Sequence, residues 1–295
     1  MARGTPEAEW PIDAELVRAL LRRQHPDLAD LPLVEVAAGW DNAMLRLGDE
    51  LAVRLPRRQA AAELILKEQR WLPLLAPSLP LATPVPLRIG RPSPDYPWSF
   101  SVTPWLDGES ADRRPPAADQ ASALGGFLAT LHKPAPDDAP RNPVRGVPLS
   151  ERAEAMAPRI ARLRAAGLFG DGHAAIWREA LEAPLCIEPT WIHGDLHPRN
   201  VLVQEGRLSA VIDWGDLAVG DPATDLASLW MLFADPAVRE EALRARQGVT
   251  AVTRKRARGW ALLFAIVLAD TGLVDHPEHL AIGKRVLHTL GGSPA

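Results

Sequence analysis

HGDLHPRN, residues 193–200, admits two incompatible chemistries, and the choice between them decides the fold. His193, Asp195 and His197 place three metal-ligand side chains within five residues, a spacing that a hydrolytic metal centre can use. The same letters fit a phosphotransfer loop. In that reading Asp195 steers a substrate hydroxyl, and Asn200, five positions on, offers a neutral oxygen to a magnesium ion. The metal-centre reading needs further ligands, yet His25, His132, His173, His276, His279 and His288 form no paired metal-binding motif. It also leaves Asn200 and the downstream Asp213 without a role.

Working outward, WIHGDLHPRN leads into VLVQ, a Gly-containing turn and LSAVID, a loop followed by a β-hairpin over 191–213. The hairpin interrupts an otherwise helical region, with helices expected over 117–132, 150–166, 171–182, 222–234, 236–246, 251–270 and 277–290. The apolar run WALLFAIVLA at 260–269 is about half the length of a membrane span and reads as a buried core helix. Upstream the pattern differs. Asp13 can cap a helix over 13–24, and short runs at 33–38, 43–48 and 51–56 read as an antiparallel meander. A helix over 58–75 and strands at 85–90 and 99–105 complete a small lobe ending near 105. The Pro-rich stretches near 77–97, 113–116 and 134–148 are expected to be surface connections.

Composition excludes several classes. The chain has 295 residues, 47% hydrophobic and 24% charged, with a formal net charge of −4, so it has the make-up of a globular protein and no basic footprint for nucleic acid. Cys186 is the sole cysteine, which rules out an intrachain disulfide and is compatible with the cytoplasm. The N-terminal stretch has neither the basic nor the apolar region of a secretory signal. Only four lysines, Lys67, Lys133, Lys255 and Lys284, occur among 33 basic residues, which limits where a catalytic lysine can stand.

HGDLHPRN, then VIDWGD, then GDPATDLASL, in that order and at that spacing, resembles the aminoglycoside phosphotransferase and choline kinase-like family. The resemblance extends to GWDNAMLRLGDELAVRLPRR in the small lobe and carries nothing over 134–190. It implies an α+β, protein-kinase-like fold, with an antiparallel-sheet nucleotide-binding lobe at 1–105 and a mainly helical lobe with the catalytic loop and substrate site at 106–295. By the same resemblance Asp195 is the catalytic base, Asn200 and Asp213 bind Mg²⁺, and His197 lies near the γ-phosphate. Asp225 resembles the buried aspartate that props the catalytic loop, and it can equally serve as an acidic charge at a helix start.

In the small lobe Gly39 and Asn42 resemble the turn that covers the phosphates. Ala52 and Arg54 share one strand face by the two-residue period, and Arg54 stands where the family places a lysine on the nucleotide phosphates. Arginine keeps a permanent charge and a fork that suits phosphate. Glu68 is the expected helix partner of Arg54, with Glu63 as competitor because it can also pair with Lys67 four residues on. Thr103 to Trp105 resemble the hinge that binds the purine through backbone groups, and Pro104 removes one donor there.

These features imply transfer of the γ-phosphate of ATP or GTP to a hydroxyl of an aminoglycoside-like or other antibiotic. A macrolide or a primary-metabolite alcohol is the alternative acceptor, and a weakly catalytic, kinase-like binding protein the alternative function. Only eleven residues separate Asp213 from Asp225, too few for the phosphorylated loop of a protein kinase, so the expected partners are a nucleoside triphosphate and a small hydroxylated substrate, with no nucleic acid or membrane. Oligomeric state is left open. Asp216, Asp235, Asp270, Asp275 and Glu278 are the acidic residues that could meet a cationic acceptor, and ten tryptophans could line an apolar one.

Overall fold

Residues 7–38, 40–185 and 188–291 are described by the computed structural model of the chain. It divides into two compact units. The smaller runs to Asp107 and takes in Val211–Gly215, and the larger comprises Gly108–Ala210 and the chain from Asp216 onward. The short return segment therefore assigns Asp213 to the small unit, which a single boundary near 105 does not.

In the small unit, Asp13 Oδ1 accepts the Leu16 N–H at 2.8 Å and starts α1, Ala14–Gln24. Its Val17, Leu20 and Leu21 are buried on one face. Strands β1 (Leu33–Ala38), β2 (Asn42–Leu47) and β3 (Leu51–Pro56) follow as a meander, then α2 (Gln59–Leu75), β4 (Arg88–Gly90) and β5 (Phe100–Pro104). The sheet order is β1-β2-β3-β5-β4, antiparallel throughout. Leu45, Leu47, Val53, Leu55, Phe100 and Val102 form its core with the buried face of α1. The strand expected from 85 shortens to Arg88–Gly90, since Pro86 cannot donate to a ladder. On α2 the buried stripe Ala61, Ile65, Glu68 and Leu72 follows helical spacing, and its one charged member needs a partner.

The large unit contains β6 (Glu109–Ser110), α3 (Ala121–Leu131), α4 (Ala153–Ala165), α5 (Asp171–Glu182), β7 (Thr190–Ile192), β8 (Val201–Gln204) and β9 (Arg207–Val211, whose last residue belongs to the small unit). Then come β10 (Ala218–Gly220), α6 (Ala223–Leu226), α7 (Ser228–Leu232), α8 (Pro236–Arg246), α9 (Ala251–Gly272) and α10 (Pro277–Gly291). Helix α9 is the core helix, buried from Gly259 to Ile266, and α4, α5, α6, α7 and α10 pack on it. The single helix expected over 222–234 is two short ones, because a tight turn in which the Trp230 N–H donates to the Ala227 carbonyl at 3.1 Å intervenes. The pairs β6–β8 and β7–β10 were not legible in the sequence. No helix among the described residues is long and apolar enough to cross a membrane.

Candidate active site

Strand β7 delivers the chain into His193, Gly194 and Asp195. Gly194 has φ +85°, and a Cβ there would lie 2.6 Å from the Asp216 carbonyl oxygen, so the turn requires glycine. Asp225, fully buried in α6, accepts the backbone N–H groups of His193 at 2.7 Å and Gly194 at 2.9 Å. It is thus the anchor of the loop as well as an acidic residue in a first helical turn. His132, at the C-terminal end of α3, faces the same carboxylate at 3.2 Å through Nε2. Arg246 Nε can only donate, and it donates to His132 Nδ1 at 3.0 Å, so Nε2 carries the proton and donates to Asp225. Burial, with repulsion from Arg246, holds the His132 pKa below its ordinary value against the pull of Asp225. The neutral tautomer is the one the hydrogen bonds require.

The Asp195 amide donates to His193 Nδ1 at 3.2 Å, so His193 supports the loop from within. Asn200 Nδ2 donates to the Asp195 carbonyl at 2.9 Å and stands 3.4 Å from its Oδ2. His197 Nδ1 accepts the Arg199 N–H at 3.2 Å, and its Nε2 lies 3.4 Å from Asp195 Oδ2. Asp195, Asn200 and His197 are therefore brought together around one carboxylate. No group of three or more His, Cys, Asp or Glu among the described residues is placed to hold a metal ion, and His193 is committed to the Asp195 amide.

The closest partner of the Asp195 carboxylate comes from a segment the sequence reading left empty. Arg145 Nη2 donates to Asp195 Oδ1 at 2.9 Å, and its guanidinium lies 5.0 Å from the Phe264 ring centroid. Asn142 fixes the turn that carries it. Its Oδ1 accepts the Val144 and Arg145 N–H groups at 2.9 and 3.1 Å, and its Nδ2 donates to Asp216 Oδ1 at 2.6 Å. The reading of 134–148 as a surface connection is corrected here. Val219 donates to the Pro140 carbonyl and Asp221 to that of Gly146, both at 2.8 Å, which seats the segment beside β10. Burial alone raises the Asp195 carboxyl, but the charges of His197 and Arg145 outweigh it and hold Asp195 well below the usual carboxylate range. Arg145 also lines a cavity of about 220 Å³ with Asn142, Val147, Pro148, Leu185 and Asp221.

In the small unit Arg54, 4% exposed, donates through Nη1 to Glu68 Oε1 at 2.6 Å and through Nη2 to Asp213 Oδ1 at 3.0 Å. Glu63 is exposed, so the buried stripe of α2 selects Glu68. Glu68 Oε1 also accepts the Trp214 N–H at 3.3 Å, and the Trp214 indole donates to the Val211 carbonyl at 2.9 Å. The strand, the helix and the return segment thus meet at one ion cluster. Asp213 has φ +61° and a half-exposed side chain. Asn42, at the start of β2, has a buried Oδ1 with no partner among the described residues. Thr103 is buried opposite Ala52, and the Trp105 N–H donates to the Glu50 carbonyl at 2.7 Å beneath Arg46. With Pro104 lacking an N–H and that of Trp105 used on Glu50, residues 104–105 have no free backbone donor. Gly39 lies outside the described residues.

The acidic residues considered for a cationic acceptor are engaged elsewhere. Asp270 is fully buried between Arg159 at 2.7 Å and Arg162 at 2.6 and 2.8 Å. Asp216 accepts from Asn142, Asp235 caps α8, Asp275 faces His276 at 3.6 Å and Glu278 meets Arg113 at 3.3 Å.

A family model described as "Phosphotransferase enzyme family" matches residues 32–260. Among curated proteins, viomycin phosphotransferase of Streptomyces vinaceus is 38% identical over 60 residues, 19% of this chain and 21% of that protein. Uncharacterized protein YcbJ of Bacillus subtilis is 42% identical over 45 residues, 15% of each. The matched stretches thus span about a fifth or less of those relatives. Among solved structures, the GDP complex of aminoglycoside 2'-phosphotransferase-IIIa is similar in fold, with a TM-score of 0.70 at 17% identity over 94% of this chain and 99% of that one. Macrolide 2'-phosphotransferase MphH from Brachybacterium faecium gives a TM-score of 0.62 at 24% identity over 97% and 100%.

Proposed function

This chain belongs to the phosphotransferase enzyme family, and from that premise we propose that it transfers the γ-phosphate of ATP or GTP to a hydroxyl of a small molecule of the antibiotic class. The observation that carries the reading is the Asp195 carboxylate, gripped by Arg145 on a loop whose backbone hangs from Asp225. In the step proposed, the acceptor oxygen bonds to the γ-phosphorus while its proton passes to Asp195. The bond from that phosphorus to the β–γ bridging oxygen breaks, and a nucleoside diphosphate leaves. A carboxylate of low basicity suits this role, because a loose transition state asks for orientation of the hydroxyl more than for its early deprotonation.

Asn200 and Asp213 are the proposed Mg²⁺ ligands. The Asn200 side chain uses its nitrogen on Asp195, which leaves the oxygen, and the half-exposed Asp213 carboxylate gives one oxygen to Arg54. One neutral and one anionic oxygen donor fit a hard cation. When bound, the ion neutralises phosphate charge. Arg54, held by Glu68, is proposed to grip the nucleotide phosphates, with Asn42, Gly39 and His197 contributing and Thr103 and Trp105 meeting the base. The relatives that act on antibiotics support this acceptor class. The test is incubation with Mg-ATP or Mg-GTP and a panel of hydroxylated antibiotics and metabolic alcohols, followed by mass spectrometry. A phosphorylated acceptor is expected. Release of inorganic phosphate without any phosphorylated acceptor would count against the proposal.

A further inference from the structure

If Asp195 receives the acceptor proton, the turn that follows it carries two of the groups on which that reading rests, His197 and Asn200. Pro198–Asn200 form one tight helical turn capped by His197, whose Nδ1 accepts the Arg199 N–H at 3.2 Å. The Asn200 N–H donates to the His197 carbonyl at 2.9 Å and closes the turn. An imidazole nitrogen that accepts carries no proton, so the neutral ring keeps its proton on Nε2, which faces Asp195 Oδ2 at 3.4 Å. The Arg199 amide thus sets the orientation in which His197 meets the carboxylate, and Asn200 follows it directly in the chain.

Arg199 is itself held from α10. Its half-buried guanidinium meets no carboxylate among the described residues, and Nη1 donates to His279 Nε2. His276 and His279 stand three apart across the start of that helix and so share one face, their rings 4.7 Å apart between centroids and tilted by 30°. Because an arginine can only donate, His279 accepts at Nε2 and keeps its proton on Nδ1. That Nδ1 is buried and has no partner among the described residues. An orphaned buried N–H costs stability, and here it accompanies the contact that anchors the turn. We propose that His279 is a positioning residue of the phosphotransfer site: from α10 it holds Arg199, and through Arg199 it fixes His197 and Asn200 against Asp195. In this role it touches neither nucleotide nor acceptor, and slackening it costs rate more than binding.

The experiment takes the acceptor found in the panel above and measures steady-state kinetics with nucleotide varied. His279→Leu removes the accepting nitrogen, Arg199→Met cuts the same link from its other end, and His279→Gln returns an accepting oxygen. We expect kcat to fall by about tenfold in His279→Leu and in Arg199→Met, short of the ~10² that a misplacement of about 1 Å can cost. Nucleotide KM should change little, since Arg54, Glu68 and Asp213 of the small unit are unaltered. His279→Gln should recover most of the loss, and the double Leu and Met variant should be no worse than either single one. A second readout needs no turnover. Amide hydrogen exchange at Arg199 and Asn200 should quicken in His279→Leu and Arg199→Met and match the wild type in His279→Gln, with the amides of α9 unchanged throughout. Wild-type kcat in His279→Leu overturns the proposal, as do additive losses in the double variant or unchanged exchange at both amides. Should His279→Leu fail to fold, wild-type kcat in Arg199→Met overturns it equally. A wild type that phosphorylates no acceptor would instead overturn the phosphotransfer reading, while the exchange pattern still decides whether His279 holds the turn.

Discussion

Arg54 gives its guanidinium to two carboxylates at once, Glu68 on α2 and Asp213 on the return segment, and is almost wholly buried while doing so. Burial opposes its charge, and the two carboxylates outweigh that opposition, so Arg54 stays charged at any working pH. Arg54→Ala leaves Glu68 buried without its cation, which costs about 3 kcal/mol or more. Its nucleotide KM should rise and its kcat fall together, as when ground-state binding and positioning are lost at once. Arg54→Lys should recover part of this, since one ammonium cannot reach both acids as a fork does. Glu68→Ala should follow in milder form, and the double variant should be less than additive. Steady-state kinetics with nucleotide varied, alongside thermal melts, checks the set, and unchanged nucleotide KM and kcat in Arg54→Ala would remove it from the phosphate site. The Arg54–Glu68 pair was legible from the family resemblance, with strand alternation setting Arg54 on the face of Ala52, while the buried stripe of α2 that selects Glu68 over Glu63 emerges only in the structure. Arg145 was not, because 134–148 has no periodicity and its contact with Asp195 joins residues 50 positions apart.

The elements around the loop that carries Asp195 act as a frame for it. Arg246 at the end of α8 donates to His132 at the end of α3, His132 donates to Asp225 in α6, and Asp225 holds two loop amides. Asp225→Asn turns one acceptor into a donor facing N–H groups and strands buried polar atoms, at about 1–3 kcal/mol. Its kcat should fall while nucleotide KM changes little, and equal loss in both would argue against a loop-specific role. Two histidines, the buried His132 and the half-buried His279, also set a pH response. Burial, with the charges of Arg199, His276 and His197, brings His279 down to about 4, and His132 is lowered as well. With folded pKa values below the unfolded ~6.5, the unfolded chain binds these protons first, so stability falls as pH drops from there through about 4 for His279. His279→Gln should flatten that decline in thermal melts across the interval, and an unchanged slope would show that this histidine does not drive it. Most helices were legible from their apolar spacing. The break between α6 and α7 was not, because the turn in which the Trp230 N–H donates to the Ala227 carbonyl lies within the mostly apolar run LASLWML, which carries no Gly or Pro signal.

Across the whole molecule the proposed chemistry is divided between the two units, with Asp195, Asn200 and His197 in the large one and Arg54, Glu68 and Asp213 in the small one. The chain returns to the small unit for only Val211–Gly215, and that return brings Asp213 to Arg54. Activity should vanish with a chelator and return with Mg²⁺, and Asp213→Ala should abolish metal-dependent nucleotide binding in calorimetry. Recovery with zinc and not with magnesium would revive the hydrolytic reading of His193, Asp195 and His197. The central claim, that Asp195 receives the acceptor proton, is tested most directly by Asp195→Asn. Phosphorylated acceptor is quantified by mass spectrometry, and Mg-nucleotide affinity is measured in parallel. We expect nucleotide affinity close to that of the wild type with turnover reduced by ~10² or more, the scale of losing a positioned base. A variant that binds nucleotide and keeps most of its turnover would contradict it.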